Sequence, residues 1–184
     1  MVLHLVKARM VTSPEVLCEK LADGFSRLYR ARNLIVALQP GDEPSGPEFQ
    51  QIAKSTVLPS GFMNLLREGQ IIAREQRPAA VILYTIGFNQ VVFVTSLFAA
   101  NIGPIIVVPP ITGQRSLIAR IKSKLYLRWL AFLRVTFVAT NRHSASAANV
   151  QPLRVIECDP YTDSADTLAY QFGDLFTTLA RSAK

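Results

Sequence analysis

The stretch PAAVILYTIGFNQVVFVTSLFAANIGPIIVVPP, residues 78–110, decides how the rest of the chain reads. It sits in a charge-free run bounded by Arg77 and Arg115, long enough to cross a bilayer. Gly87, Asn89, Gln90, Asn101, Gly103, Pro104 and the pair Pro109-Pro110 break that run. The pieces between the breaks, VILYTI, VVFVTSLFAA and IIVV, are each too short to span alone. A buried strand (81–86), a helix (89–101) and a second strand (104–109) explain them, because parallel strands covered on both faces read as continuous apolar runs. A transmembrane hairpin is the competing reading.

The same alternation extends outward in both directions. VLHLVK (2–7) reads as a first strand, and Ser13-Pro14-Glu15 as a helix start: a hydroxyl cap, proline at the first helical position and an acid in the first turn. That helix is expected to reach residue 31, with Leu17, Leu21, Phe25 and Leu28 on one face. LIVAL (34–38) follows as a strand and QPGDEPSGPE (39–48) as a loop. A helix over 62–76 carries Phe62, Leu65, Leu66 and Ile72 as its apolar stripe, and Pro78 closes it.

Beyond residue 110 the pattern predicts a helix over 114–134, strand VTFVAT (135–140) and a short helical segment near 142–149. Strand LRVIEC (153–158) and a terminal helix over 163–181, capped by Asp163 and Ser164, complete the chain. Strands separated by helices imply a parallel sheet with right-handed crossovers. The expected fold is α/β: a single doubly wound, Rossmann-like domain over 1–184, with a mainly parallel sheet of about six strands and helices on both faces.

Composition agrees. At 184 residues, 49% hydrophobic and 18% charged, the chain can bury one full core, which excludes disorder, a collagen-like repeat and a disulfide-stapled miniprotein. The net charge of +7 points to an anionic partner without choosing among phosphate ligand, membrane and nucleic acid. Cys18 and Cys158 are far apart and in no metal-ligand spacing, so neither structural zinc nor a disulfide framework is expected, and a reducing cytoplasm fits. MVLHLVKARM, interrupted by Lys7, does not read as a signal peptide.

In such sheets ligands bind beyond the carboxyl ends of the strands. The first turn there, KARMVTSPE, has no glycine, and no GxxxxGK[ST] occurs, which argues against dinucleotide and P-loop sites and a small stand-alone nucleotide enzyme. Lys7, Arg9, Thr12 and Ser13 beside a helix N-terminus form a candidate anion site, with simple capping by Ser13 as the alternative. His143, in TNRHSAS, falls at the same edge and could contact phosphate or act as acid or base, or simply face solvent. His4, inside the first strand, reads as structural. Asp159 and Asp163 read as caps rather than cation ligands. No GxSxG is present. No cofactor or metal is expected.

Between Glu75 and Glu157 there is no acid, while nine cations occur. Arg120, Lys124 and Arg128 recur every fourth residue as one basic stripe on the helix 114–134. Ile118, Ile121, Leu125, Trp129 and Phe132 occupy another face, which is expected to pack on the sheet. A one-sign stripe on an amphipathic helix fits contact with an anionic membrane surface, and the absence of RNP, KH and zinc-finger signatures argues against nucleic acid.

Taken together, VLHLVKARMVTSPEVLCEKLADGF (2–25), LLREGQIIAREQRPAAVILYTIGFNQ (65–90), NIGPIIVVPP (101–110), LRVTFVATNRHSA (133–145) and LRVIECDPYTD (153–163) resemble the N-terminal, acceptor-side domain of GT-B-fold glycosyltransferases, particularly family four. The resemblance rests mainly on the order of strands and helices. VTSPE stands where the family has a glycine pair, Pro109-Pro110 where it has a histidine, and CDPYTD where its second domain is introduced. The family's donor site, with its E-x7-E pair, belongs to that second domain and is not expected here.

The resemblance implies binding of a sugar or lipid acceptor, near Arg9, Thr12 and Ser13, near Gly87, Phe88 and Asn89, and near Thr112 and Gly113. It also implies a donor-binding glycosyltransferase subunit or domain as partner, with no transfer by this chain alone. The alternative expectation is a non-catalytic binding or scaffold module, cytoplasmic or peripheral at the membrane, that contacts anionic lipid or protein through its basic helix.

Overall fold

The computed structural model describes residues 1–6, 13–38, 54–58, 61–108, 117–140 and 153–182. In chain order the elements are β1 (Val2–Val6), α1 (Ser13–Tyr29), β2 (Asn33–Ala37), β3 (Lys54–Val57), α2 (Phe62–Gln76) and β4 (Ala80–Leu83). They continue with α3 (Phe88–Ala99), β5 (Ile105–Val107), α4 (Leu117–Phe132), β6 (Thr136–Ala139), β7 (Leu153–Val155) and α5 (Ala165–Ser182). The strands form one sheet in the order β3-β2-β1-β4-β5-β6-β7, every pair parallel. The fold is the expected α/β, Rossmann-like one, with seven strands rather than six. The additional strand, Lys54–Val57, is an edge strand paired through its backbone with β2.

Side chains alternate across the sheet and build two cores. Leu3 and Leu5 of β1, Leu34 and Val36 of β2, Val81 and Leu83 of β4 and Phe137 of β6 face one way, beneath α2, α3 and α4. Ile35, Ile82, Ile106 and Val138 face the other way, beneath α1 and α5. Helices therefore cover both faces, and the central strands are mainly apolar on both sides, with His4 of β1 a buried exception.

The charge-free run is explained by this burial. It supplies β4, α3 and β5, and in α3 Val91, Val92, Phe93, Val94 and Leu97 are all buried. Among the described residues no helix is long and apolar enough to cross a membrane. The buried polar side chains of α3 are satisfied locally: Ser96 donates to the Phe93 carbonyl at 2.7 Å, and Gln90 donates to Thr85 Oγ1 at 3.4 Å.

Helix pairs approach closely where a side chain is missing. A Cβ at Gly69 of α2 would overlap Ser96 of α3, and one at Gly24 of α1 would overlap the Ala165 carbonyl of α5. Two stripe assignments are corrected by the structure. Leu28, in the last turn of α1, is half exposed, and Phe62 is half exposed and stacks on Phe88, with ring centroids 6.4 Å apart.

Ser164 is the cap of α5, its Oγ accepting from the Thr167 amide at 3.1 Å. Asp163 does something else: its Oδ2 accepts from the Asp159 amide at 2.7 Å and closes the preceding turn. Lys20 of α1 holds that turn against the domain by donating to the carbonyls of Asp163, at 2.7 Å, and Tyr161, at 3.2 Å.

Candidate functional site

The strand order reverses between β1 and β4. From β1 the chain winds outward to β2 and β3, then returns to β4 on the other side and winds away through β7. The helices that follow β1 and β4 lie on opposite faces, which makes the carboxyl edge between those two strands the switch point where sheets of this kind place a ligand crevice.

The described wall of this crevice is Tyr84–Asn89. Tyr84 continues β4, its amide donating to the Leu5 carbonyl at 3.1 Å, and its side chain is fully buried. Gly87 then caps α3 in an extended conformation that any residue can adopt, with φ −158° and ψ 177°. Gly87 supplies no side chain to cap the first amides of α3, and the first turn of that helix contains no acid. Those amides lack intrahelical acceptors and sit at the positive end of the helix dipole, so the crevice floor favours anionic or oxygen-rich ligands.

Gly87, Phe88 and Asn89 are brought together at this switch point, and each has a different task. Gly87 makes room for the Gln90 side chain, whose Oε1 would lie 2.7 Å from a Cβ built there. Phe88 is half exposed and, with Phe62, forms an aromatic wall on the side of α2. Asn89 Nδ2 donates to the Leu38 carbonyl at 2.9 Å, tying the start of α3 to the end of β2. Arg9, Thr12, Thr112, Gly113 and His143 lie outside the described residues; Ser13 opens α1.

Beneath the crevice is a buried polar cluster that the sequence did not connect. His4 Nδ1 lies 2.8 Å from Tyr84 Oη, and His4 Nε2 lies 3.1 Å from Asn33 Oδ1. Asn33 Nδ2 in turn donates to the Ala22 carbonyl at 2.8 Å. Burial pulls the His4 pKa down from 6.5 to about 4, against the Asn33 hydrogen bond, which raises it. Burial also pushes the Tyr84 phenol well above its ordinary value, with Cys18 alongside contributing in the same direction. Both groups are sealed and neutral, so the structural reading of His4 is the correct one.

The basic helix differs from expectation. Its apolar face does not pack on the sheet: Ile121, Leu125, Trp129 and Phe132 are all exposed. α4 is anchored instead by buried Leu130, with Leu127, Tyr126 and Ala131 partly buried against the core. Lys124 and Arg128 are exposed beside the outward apolar ridge, as is Lys122 on its other flank, and Arg120 lies on the same helix. The reason is geometric: a helix surface has more apolar positions here than the sheet can cover, and the smaller set around Leu130 faces inward.

Among the described residues no group of three or more His, Cys, Asp or Glu side chains gathers where a metal ion could be held. Cys158, at the end of the segment after β7, is partly buried, and burial with the nearby Asp163 and Asp159 pushes its thiol up to about 11. No protein-family model matches the chain, and comparison with curated proteins and with solved structures found no match.

Proposed function

We propose that this chain is the acceptor-side domain of a group-transfer system of glycosyltransferase type, holding a sugar or lipid-linked sugar at the β1/β4 crevice. The observation that carries this reading is the coincidence of the strand-order reversal with Gly87–Asn89, where α3 starts with no acid in its first turn and with a half-exposed aromatic ring. Amide donors suit hydroxyl and phosphate oxygens, and an aromatic face suits the apolar side of a sugar ring. The likeness of the chain to the N-terminal domain of GT-B-fold glycosyltransferases supports the same assignment. On this reading the donor is bound by a second domain or subunit, and this chain alone transfers no sugar.

The reading is tested by thermal shift against sugar nucleotides, free saccharides and lipid-linked saccharides. A ligand at a hundred times its Kd stabilises by about 2.7 kcal/mol, well within detection. Saccharide acceptors are expected to raise Tm, and sugar nucleotides without a partner are not. Gly87→Val adds bulk at the start of α3 and presses on the buried Gln90 side chain, so it is expected to lower the unliganded Tm and, measured from that new baseline, to abolish the shift. Stabilisation by sugar nucleotides alone, or a saccharide shift indifferent to Gly87→Val, would overturn it.

A further inference from the structure

We infer that the outward face of α4 docks on an anionic phospholipid bilayer, lying in the plane of the headgroups. This goes beyond the acceptor reading and does not depend on it. Four large apolar side chains on one helix, Ile121, Leu125, Trp129 and Phe132, are 60%, 64%, 47% and 77% exposed. On a water-facing helix this ridge is unfavourable, since each side chain forgoes burial. Phe98 of α3, also half exposed, adds to the apolar surface of the same helical layer.

Charge chooses the occupant. The ridge is flanked by Lys122, Lys124 and Arg128, all exposed, and α4 contains no acid. A second copy of the chain apposed through this face would set these cations against one another. Protein interfaces, moreover, are depleted of lysine around their apolar centres. An anionic lipid surface satisfies both features at once, taking the apolar ridge among the acyl chains and the cations among the headgroups. Trp129 fits that boundary: its Nε1–H donates to Thr95 Oγ1 at 3.0 Å while its ring packs 6.0 Å from Phe132. At 16 residues with several cations, α4 is suited to lie on a membrane and not to cross it.

Trp129 is the sole tryptophan and therefore a direct reporter. The full chain is titrated with phosphatidylcholine vesicles and with vesicles in which part of that lipid is replaced by anionic phosphatidylserine. Binding to the anionic vesicles, a blue shift of Trp129 emission and release in high salt are expected. Leu125→Ser with Phe132→Ser should weaken binding more than about tenfold, and Lys124→Glu with Arg128→Glu should abolish the preference for anionic lipid. All four positions are exposed, and unchanged far-ultraviolet dichroism verifies that the variants fold. Equal, salt-insensitive partition into both vesicle types, or an unshifted Trp129 emission, would overturn the inference. So would a concentration-dependent dimer in ultracentrifugation that Leu125→Ser with Phe132→Ser dissolves, because the occupant is then a second copy.

Discussion

His4 and Tyr84 are joined across the two strands that flank the crevice, ring nitrogen Nδ1 to phenol oxygen at 2.8 Å, with both side chains fully buried. The direction of the bond follows from the neighbours. Asn33 uses its Nδ2 to donate to Ala22, so its Oδ1 faces His4 as an acceptor and Nε2 must carry the proton. Nδ1 is then the acceptor, and Tyr84 donates to it. Neutral histidine satisfies both partners; the imidazolium would set an N–H against the phenol hydrogen.

Acid should therefore destabilise the fold through His4. Its folded pKa of about 4 lies below the 6.5 of the exposed side chain, so between those values the unfolded chain binds the extra proton. The contribution is complete above pH 6.5 and disappears as the pH falls toward 4, by roughly 3 kcal/mol in all. Urea unfolding from pH 7 to 4 measures it against His4→Leu. The variant should start about 1–3 kcal/mol less stable, because Tyr84 Oη and Asn33 Oδ1 both lose their His4 partner, and should lose less on acidification. Parallel curves would show that His4 does not carry the effect.

Asn89 should matter to stability as well as to the site. Its amide satisfies the carbonyl of Leu38, a fully buried residue, so Asn89→Ala is expected to cost about 1–2 kcal/mol. Asn89→Asp discriminates the cause. An acid in the first turn normally favours a helix, yet a carboxylate cannot donate to a carbonyl, so Asp should not restore the loss. Denaturant midpoints of the two variants decide between capping and the Leu38 contact.

What the sequence disclosed follows from where each signal arises. β4, α3 and β5 were legible because most of their side chains are buried, which a run of apolar residues satisfies, and the end of α2 was legible because Pro78 closes its periodicity. Strand KSTV (54–57) was not, since an edge strand held by backbone pairing with β2 needs no apolar alternation. For α4 the periodicity identified which residues share a face, but not which face turns inward. That choice is made by tertiary packing, which buries Leu130 in the core. The turn at 87–89 could be placed at the strand edge because it follows a strand, whereas the His4–Tyr84 pair joins positions 80 apart and leaves no local trace.

Gly69 offers a test of the α2–α3 approach. Alanine in a helix is ordinarily favoured over glycine by about 1 kcal/mol. Here the added methyl would overlap the Ser96 side chain, and overpacking of this kind costs about 1–3 kcal/mol. Net destabilisation is expected for Gly69→Ala. Adding Ser96→Gly removes the obstructing atoms, so the double variant should be more stable than the two single losses predict, a coupling that thermal denaturation of all four proteins reads directly.

Cys158 should resist alkylation in the folded protein. Its pKa of about 11 against an ordinary 9.0 leaves a thiolate population smaller by about a hundredfold near pH 8, and the thiolate is the reacting species. Burial is the larger cause and the carboxylates of Asp163 and Asp159 the smaller ones. Asp163→Asn keeps an oxygen to accept from the Asp159 amide, so the turn is retained while the negative charge is lost. That variant should quicken iodoacetamide labelling at pH 8 only partly, with the full rate reached when urea unfolds the chain. Cys18, buried in the core against Tyr84, should label only on unfolding. Rapid labelling of Cys158 in the native protein, at the rate of a free thiol, would show that the segment after β7 does not shield it.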